Sequence, residues 1–128
     1  MIVLDACVLI AFADPANAFH DDAKRILATA EPLMLTALSG AEIMVHPTSE
    51  QSHQWLGFLR ELAIEVVPIT CDDMEAIANV RRESRLKMPD SLVVWLAESR
   101  SAAVASFDEH LLVKAAERGL RIIGPRSA

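Results

Sequence analysis

Four acidic residues stand where their carboxylates could work together. They are Asp5 in "MIVLDACVLIAF", Glu42 in "LTALSGAEIM", Asp90 in "LKMPDSLVVWLA" and Asp108 in "VASFDEHL". Each lies at the edge of an aliphatic run or at the start of a helical one. Gathered carboxylates offer hard oxygen ligands, which select Mg²⁺ or Mn²⁺ over zinc. Alone, three or four close carboxylates repel, and some hold a proton at neutral pH. With a divalent cation they stay ionised, and the ion can activate a water and neutralise a phosphate under attack.

The same residues have a plainer use as helix caps. Ser39-x-x-Glu42 matches a capping box, and Asp90 and Asp108 both suit the N-cap position, worth about 1 kcal/mol each. Asp72-x-x-Glu75 has similar helix-starting chemistry and is assigned no catalytic part. Asp5 differs, because apolar residues on both sides predict burial. A buried carboxylate must be paired, neutralised or bound to a cation. No basic residue lies near it in sequence, which favours the cation.

These acids need a scaffold that brings distant segments together. The chain has 128 residues, 52% of them hydrophobic, enough for one compact domain spanning 1–128 without disulfide or metal staples. Two cysteines, Cys7 and Cys71, make no disulfide framework and fit reduced thiols in a cytoplasmic protein. The apolar start lacks a basic n-region and does not read as a signal peptide. No uncharged apolar run is long enough to span a membrane. The net charge of −6 means that any nucleic-acid binding needs positive charge from another source, such as a divalent ion.

Short aliphatic runs alternate with longer amphipathic ones, the pattern of an α/β fold with a central, mainly parallel sheet of four to five strands. Strands are expected at 2–5, 33–36, 65–69, 102–106 and 120–124. Helices are expected at 17–30 with Asn17 as a possible cap, then at 39–46, 49–63, 72–86, 90–100 and 108–119. The 90–100 helix is apolar all round and should be buried. The 65–69 strand should lie at an edge, because Pro68 cannot donate to a ladder. On this reading Asp5 ends the first strand, Glu42 lies in the first turn of its helix, Asp90 starts a helix, and Asp108 follows the fourth strand. A parallel sheet collects all such positions at one edge, where ligand sites form.

The four segments quoted above, in that order, resemble the acidic motifs of PIN-domain ribonucleases, and more narrowly the short VapC-type toxins of toxin–antitoxin pairs. The resemblance runs from Met1 to about Pro125. It implies a PIN-like three-layer α/β/α sandwich, a metal-dependent endoribonuclease leaving a 5′-phosphate and a 3′-hydroxyl, and an Mg²⁺ or Mn²⁺ site made by Asp5, Glu42, Asp90 and Asp108. Asp5 and Asp90 are then direct ligands, Glu42 acts through water, and Asp108 varies most in role. It also implies an RNA substrate, a VapB-like antitoxin partner and a homodimer. One departure stands out: the family often has hydroxyl residues after the first aspartate, and this chain has Ala6 and Cys7. Backbone N–H groups or the Cys7 thiol must then serve. Cys7 itself reads as a small core residue rather than a nucleophile. The hydroxyl before "FD" is retained as Ser106.

Other residues have open readings. Arg81, Arg82, Arg85 and Lys87 form a basic run that suits a solvated helix face, while Arg85 and Lys87 could grip RNA together with Ser106. Trp55, Leu56, Phe58, Leu59 and Leu62 suit either a core-facing helix or an antitoxin groove. All four histidines read as surface or helix residues, and His46 and His53 are too loosely spaced for zinc. Two rival functions remain: a PIN-like module that binds RNA or a partner without cutting, and a phosphoacceptor receiver domain. The receiver would require adjacent acids after the first strand and an acceptor aspartate after the third, neither of which is present.

Overall fold

The computed structural model describes residues 1–45 and 52–126. His46, Pro47 and the expected helix start at 49–51 lie outside the described residues, as does the side chain of His53. Five parallel strands form one sheet: β1 (Ile2–Leu4), β2 (Leu33–Thr36), β3 (Ile64–Val67), β4 (Ala103–Ala105) and β5 (Ile122–Ile123), in the order β3-β2-β1-β4-β5. β3 lies at an edge, as Pro68 predicts. The order differs from the 2-1-3-4-5 arrangement of receiver-type sheets.

Alternation along the strands builds two cores. Ile2, Leu4, Leu33, Leu35, Ala103 and Ala105 point to one face, against α1 (Ala6–Ala13), α2 (His20–Leu27), α3 (Ala37–Val45) and α4 (Ser52–Glu61). Val3, Met34 and Val104 point to the other, against α5 (Met74–Ser84), α6 (Met88–Arg100) and α7 (Glu109–Glu117). The period of two in side-chain direction therefore makes a three-layer α/β/α sandwich. From Ser91 to Ala97 every residue of α6 is buried, as its all-round apolar character predicts.

Several expected boundaries move. The sequence reading places no helix after β1, yet α1 follows directly; its residues are apolar on every side, so no amphipathic period marks it. Helix 17–30 contracts to α2, and Asn17 Oδ1 accepts from the Phe19 N–H at 2.8 Å in a turn before the helix rather than capping it. The Ser39–Glu42 box is not formed. Thr36 Oγ1 takes the Ser39 N–H at 3.0 Å, so α3 begins at Ala37 and Glu42 sits in its second turn. The box expected at Asp72–Glu75 is made instead by Thr70 and Asp73, around a 3₁₀ turn at Cys71–Asp73. α6 starts at Met88, with Lys87 at the N-cap, so Asp90 lies inside its first turn and is not the cap. A proline near a helix start costs no hydrogen bond, and the helix extends back over it.

Candidate active site

β1 and β4 are neighbours, and the chain leaves them toward opposite sides of the sheet order, with β2 beyond one and β5 beyond the other. This is the topological switch point, where a crevice opens beyond the strand ends. Asp5 follows β1 and is the N-cap of α1, with extended backbone at φ −74° and ψ 150°. Asp108 follows β4 by three residues and is the N-cap of α7, its Oδ1 accepting from the N–H groups of His110 at 3.0 Å and Leu111 at 3.3 Å. These two acids are caps and also occupants of the crevice.

Asp5 is half-buried and takes its donors from short range. Oδ1 accepts from the Ala6 N–H at 2.9 Å. Oδ2 accepts from the Ser106 hydroxyl at 2.6 Å and the Cys7 thiol at 3.3 Å. Ser106 is fully buried, and its oxygen also accepts from the Asp108 N–H at 3.0 Å. Cys7 Sγ accepts from the Phe107 N–H at 3.4 Å. Ser106 and Cys7 each own one hydrogen and both aim it at the same carboxylate oxygen, so their 3.5 Å approach is a contact of two donors around one acceptor. The backbone N–H of Ala6 and the Cys7 thiol thus surround Asp5 where hydroxyl residues are absent. Burial first, and then the charge of Asp5, push the Cys7 thiol up to about 12. It remains a thiol at neutral pH and is no nucleophile.

The four acids share one field. Asp90 is half-buried, and its carboxyl is raised to about 6 by desolvation first, then by the charges of Asp5 and Asp108, with Lys87 and His110 opposing. Glu42 is more exposed, and its carboxyl is raised by partial desolvation and by Asp5 and Asp90. The charges of Asp5 and Asp90 thus act on Glu42, and those of Asp5 and Asp108 act on Asp90, so the four acids lie within reach of one another's fields. No lysine, arginine or histidine forms an ion pair with any of the four among the described residues. Nor, among the described residues, do three acidic, cysteine or histidine side chains stand as close as one coordination sphere requires. The arrangement is a loose group of hard oxygen donors in which Lys87 and His110 act on Asp90 without forming ion pairs. The donor chemistry is that of an Mg²⁺ or Mn²⁺ site, while the spacing is wider than one coordination sphere.

The remaining sequence candidates divide. Lys87, at the start of α6, is exposed and near enough to Asp90 to lower its carboxyl. Arg85 is exposed at the end of α5 with φ 62°, the left-handed conformation that closes the helix. His110 was missed as a neighbour of Asp90; its place two residues beyond the Asp108 cap, on the turn facing the crevice, was the available signal. His20 bonds Ala11 O through Nδ1 at 2.9 Å and lies apart from the acids. In α4, Trp55 and Leu59 are buried, Phe58 is half-buried and Leu56 is exposed; Leu62, just past the helix, is half-buried. Most of that apolar set is core.

The family model for the PIN domain matches residues 2–117. Among solved structures, a Mycobacterium tuberculosis toxin, VapC20, described as cleaving the sarcin–ricin loop, superposes with a TM-score of 0.74 at 19% identity, over 94% of this chain and 96% of that one. A Rickettsia felis complex, VapBC2 bound to a fragment of its promoter DNA, gives 0.70 at 15% identity over 98% and 100%. A toxin–antitoxin complex from Klebsiella pneumoniae gives 0.67 at 22% identity over 84% and 87%. These likenesses concern the fold. No curated protein matches the chain.

Proposed function

Because this chain belongs to the PIN-domain family, we propose that it is a divalent-metal-dependent endoribonuclease and the toxin of a toxin–antitoxin pair. The observation that carries this reading is that Asp5, Glu42, Asp90 and Asp108, brought together from four segments of the chain, act on one another by charge and form no ion pair among the described residues. The toxin and toxin–antitoxin identities of VapC20, VapBC2 and the Klebsiella complex support the biological setting.

In this reading Asp5 and Asp90 hold Mg²⁺ or Mn²⁺ directly, Glu42 contributes through water, and Asp108 adds charge at the rim. When bound, such an ion would supply an activated water and positive charge to offset the phosphate under attack. Ser106 and Cys7 both donate to Oδ2 of Asp5 and hold its rotamer, which leaves Oδ1, bonded once to the Ala6 N–H, as the oxygen with spare acceptor capacity. Ser106 also ties the Asp108 backbone to that carboxylate, which keeps the two strand ends in register. Lys87 and Arg85, exposed beside the start of α6, offer positive charge to the flanking RNA phosphates. Leu56 and Val45, exposed on α4 and α3, are among the exposed apolar residues that an antitoxin or a second copy in a homodimer could cover. No helix among the described residues is long and apolar enough to cross a membrane, in keeping with a cytoplasmic place of action.

A second reading, a PIN-like module that binds without cutting, draws on Ala6 in place of a hydroxyl and on the open spacing of the acids. One experiment separates the two. Purified chain and Asp5→Asn are compared on end-labelled RNA with Mg²⁺, with Mn²⁺ and with chelator. Cleavage is expected only for the unmodified chain with a divalent ion. Cleavage that persists in Asp5→Asn or in chelator removes the proposed mechanism; RNA bound but never cut supports the second reading.

A further inference from the structure

Two phenylalanines stack at the margin of the acidic crevice. The rings of Phe19 and Phe107 lie with centroids 4.7 Å apart and planes 15° from parallel. Phe107 is half-buried and packs against the core under α1 to α4. Phe19 rests on it and is 37% exposed. Phe107 sits between Ser106, which grips Asp5, and Asp108, so the stack is joined to the site by single peptide units.

The backbone that carries each ring is hydrogen-bonded. The Phe19 N–H donates to Asn17 Oδ1 at 2.8 Å, and its carbonyl accepts from Ala23 N–H at 2.9 Å in the first turn of α2. The Phe107 N–H donates to Cys7 Sγ at 3.4 Å. α2 is pinned to the same edge of the sheet: Arg25 Nη2 donates to Gly124 O at 3.0 Å, and Arg126 N–H donates to Asp22 Oδ1 at 3.1 Å. A ring held parallel to another, with further ring surface left to solvent, is a platform to which a third flat ring can add.

We propose that the Phe19–Phe107 stack holds one unpaired base of the RNA, adjacent to the phosphate that is cut. This rests on the ribonuclease reading and deepens it by assigning a base-holding subsite to two named residues. A base inside a duplex is already stacked on both faces and cannot add to the platform. A stacking surface accepts any base, so it sets strand state and register, with little preference for sequence.

The test uses an unstructured labelled RNA of about twelve nucleotides, long enough to span a typical single-strand site. Variants carry one abasic position at each place around the cut, and Mn²⁺ is supplied. With the unmodified chain, one abasic position beside the cut should slow cleavage roughly tenfold to a hundredfold, the usual worth of one stacked base. Phe19→Ala should slow cleavage of intact RNA by a similar factor and be indifferent to that abasic position. Phe19→Tyr should restore both the rate and the sensitivity. Phe19→Leu, which keeps apolar bulk and so the fold, should behave like Phe19→Ala. Unmodified rates in Phe19→Leu, or a loss that adds to the abasic loss, would overturn the platform while leaving the nuclease intact. Equal cutting of duplex and single strand would do the same, as would a Phe19 effect confined to binding of a protein partner. Absence of any RNA cleavage by the unmodified chain removes the ribonuclease reading and the platform with it.

Discussion

At the scale of single residues, Asp90 carries the clearest conflict between stability and site. Its carboxyl stands at about 6 in the fold against 3.8 for the free group. An acid raised in this way folds more easily when protonated. Its charge costs nothing below about pH 4, costs progressively more between about pH 4 and 6, and costs its full amount above that. Asp90→Asn should therefore stabilise the cation-free chain by about 1 kcal/mol at pH 7.5. The shift alone implies more, but half-exposure screens it. Denaturant melts of both proteins in chelator check this: the gain should shrink as pH falls and vanish near pH 3.5. A constant difference at all pH values would place the origin in packing instead. Cys7 presents the opposite case. The thiol sits in the most tightly bonded part of the site, yet desolvation and Asp5 keep it neutral, so its part is to donate one hydrogen bond.

At the scale of elements, a cap and a site ligand turn out to be compatible uses of one residue. Asp108 caps α7 with Oδ1 through two backbone N–H groups. Asp108→Asn keeps an acceptor at that position and should leave the melting temperature nearly unchanged. Asp108→Ala should cost about 1 kcal/mol. Both remove the charge that Asp90 feels, so both should reduce metal-dependent cleavage alike; if Asn retained full activity, Asp108 would be a cap only. The sequence was legible where a period or a breaker marked an element. β2 matches its expected bounds, β3 lies at the edge as expected although the strand stops at Val67 before Pro68, and the burial of α6 follows from its apolar character. It was illegible where hydrophobicity had no period, as in α1, and where a hydroxyl two or three residues upstream took over the cap, as Thr36 did from Ser39 and Thr70 from Asp72. The segments carrying the four acids were readable, but their meeting was not. Asp5 and Ser106 are joined by a hydrogen bond across 101 positions of chain, and no local pattern encodes that distance. The Phe19–Phe107 stack escaped for the same reason.

At the scale of the whole molecule, a chain of net charge −6 concentrates four of its acids in one crevice. A cation that binds the folded form alone must stabilise it. Mn²⁺ at about ten times its dissociation constant should add roughly 1.4 kcal/mol, which raises the melting temperature by several degrees in a domain of this size. Scanning calorimetry with Mn²⁺, with chelator and with NaCl at matched ionic strength checks this. The rise should be absent in Asp5→Asn, and an equal rise with NaCl would reduce the effect to general screening. The sheet order has a further consequence for synthesis. β1 is made first, but it lies in the middle, and one of its two neighbours, β4, begins only at Ala103. A nascent chain therefore carries Asp5 on a strand missing one partner until Ala103–Ala105 has been made. Whatever the crevice does, it must wait for that late strand to slot in beside the first.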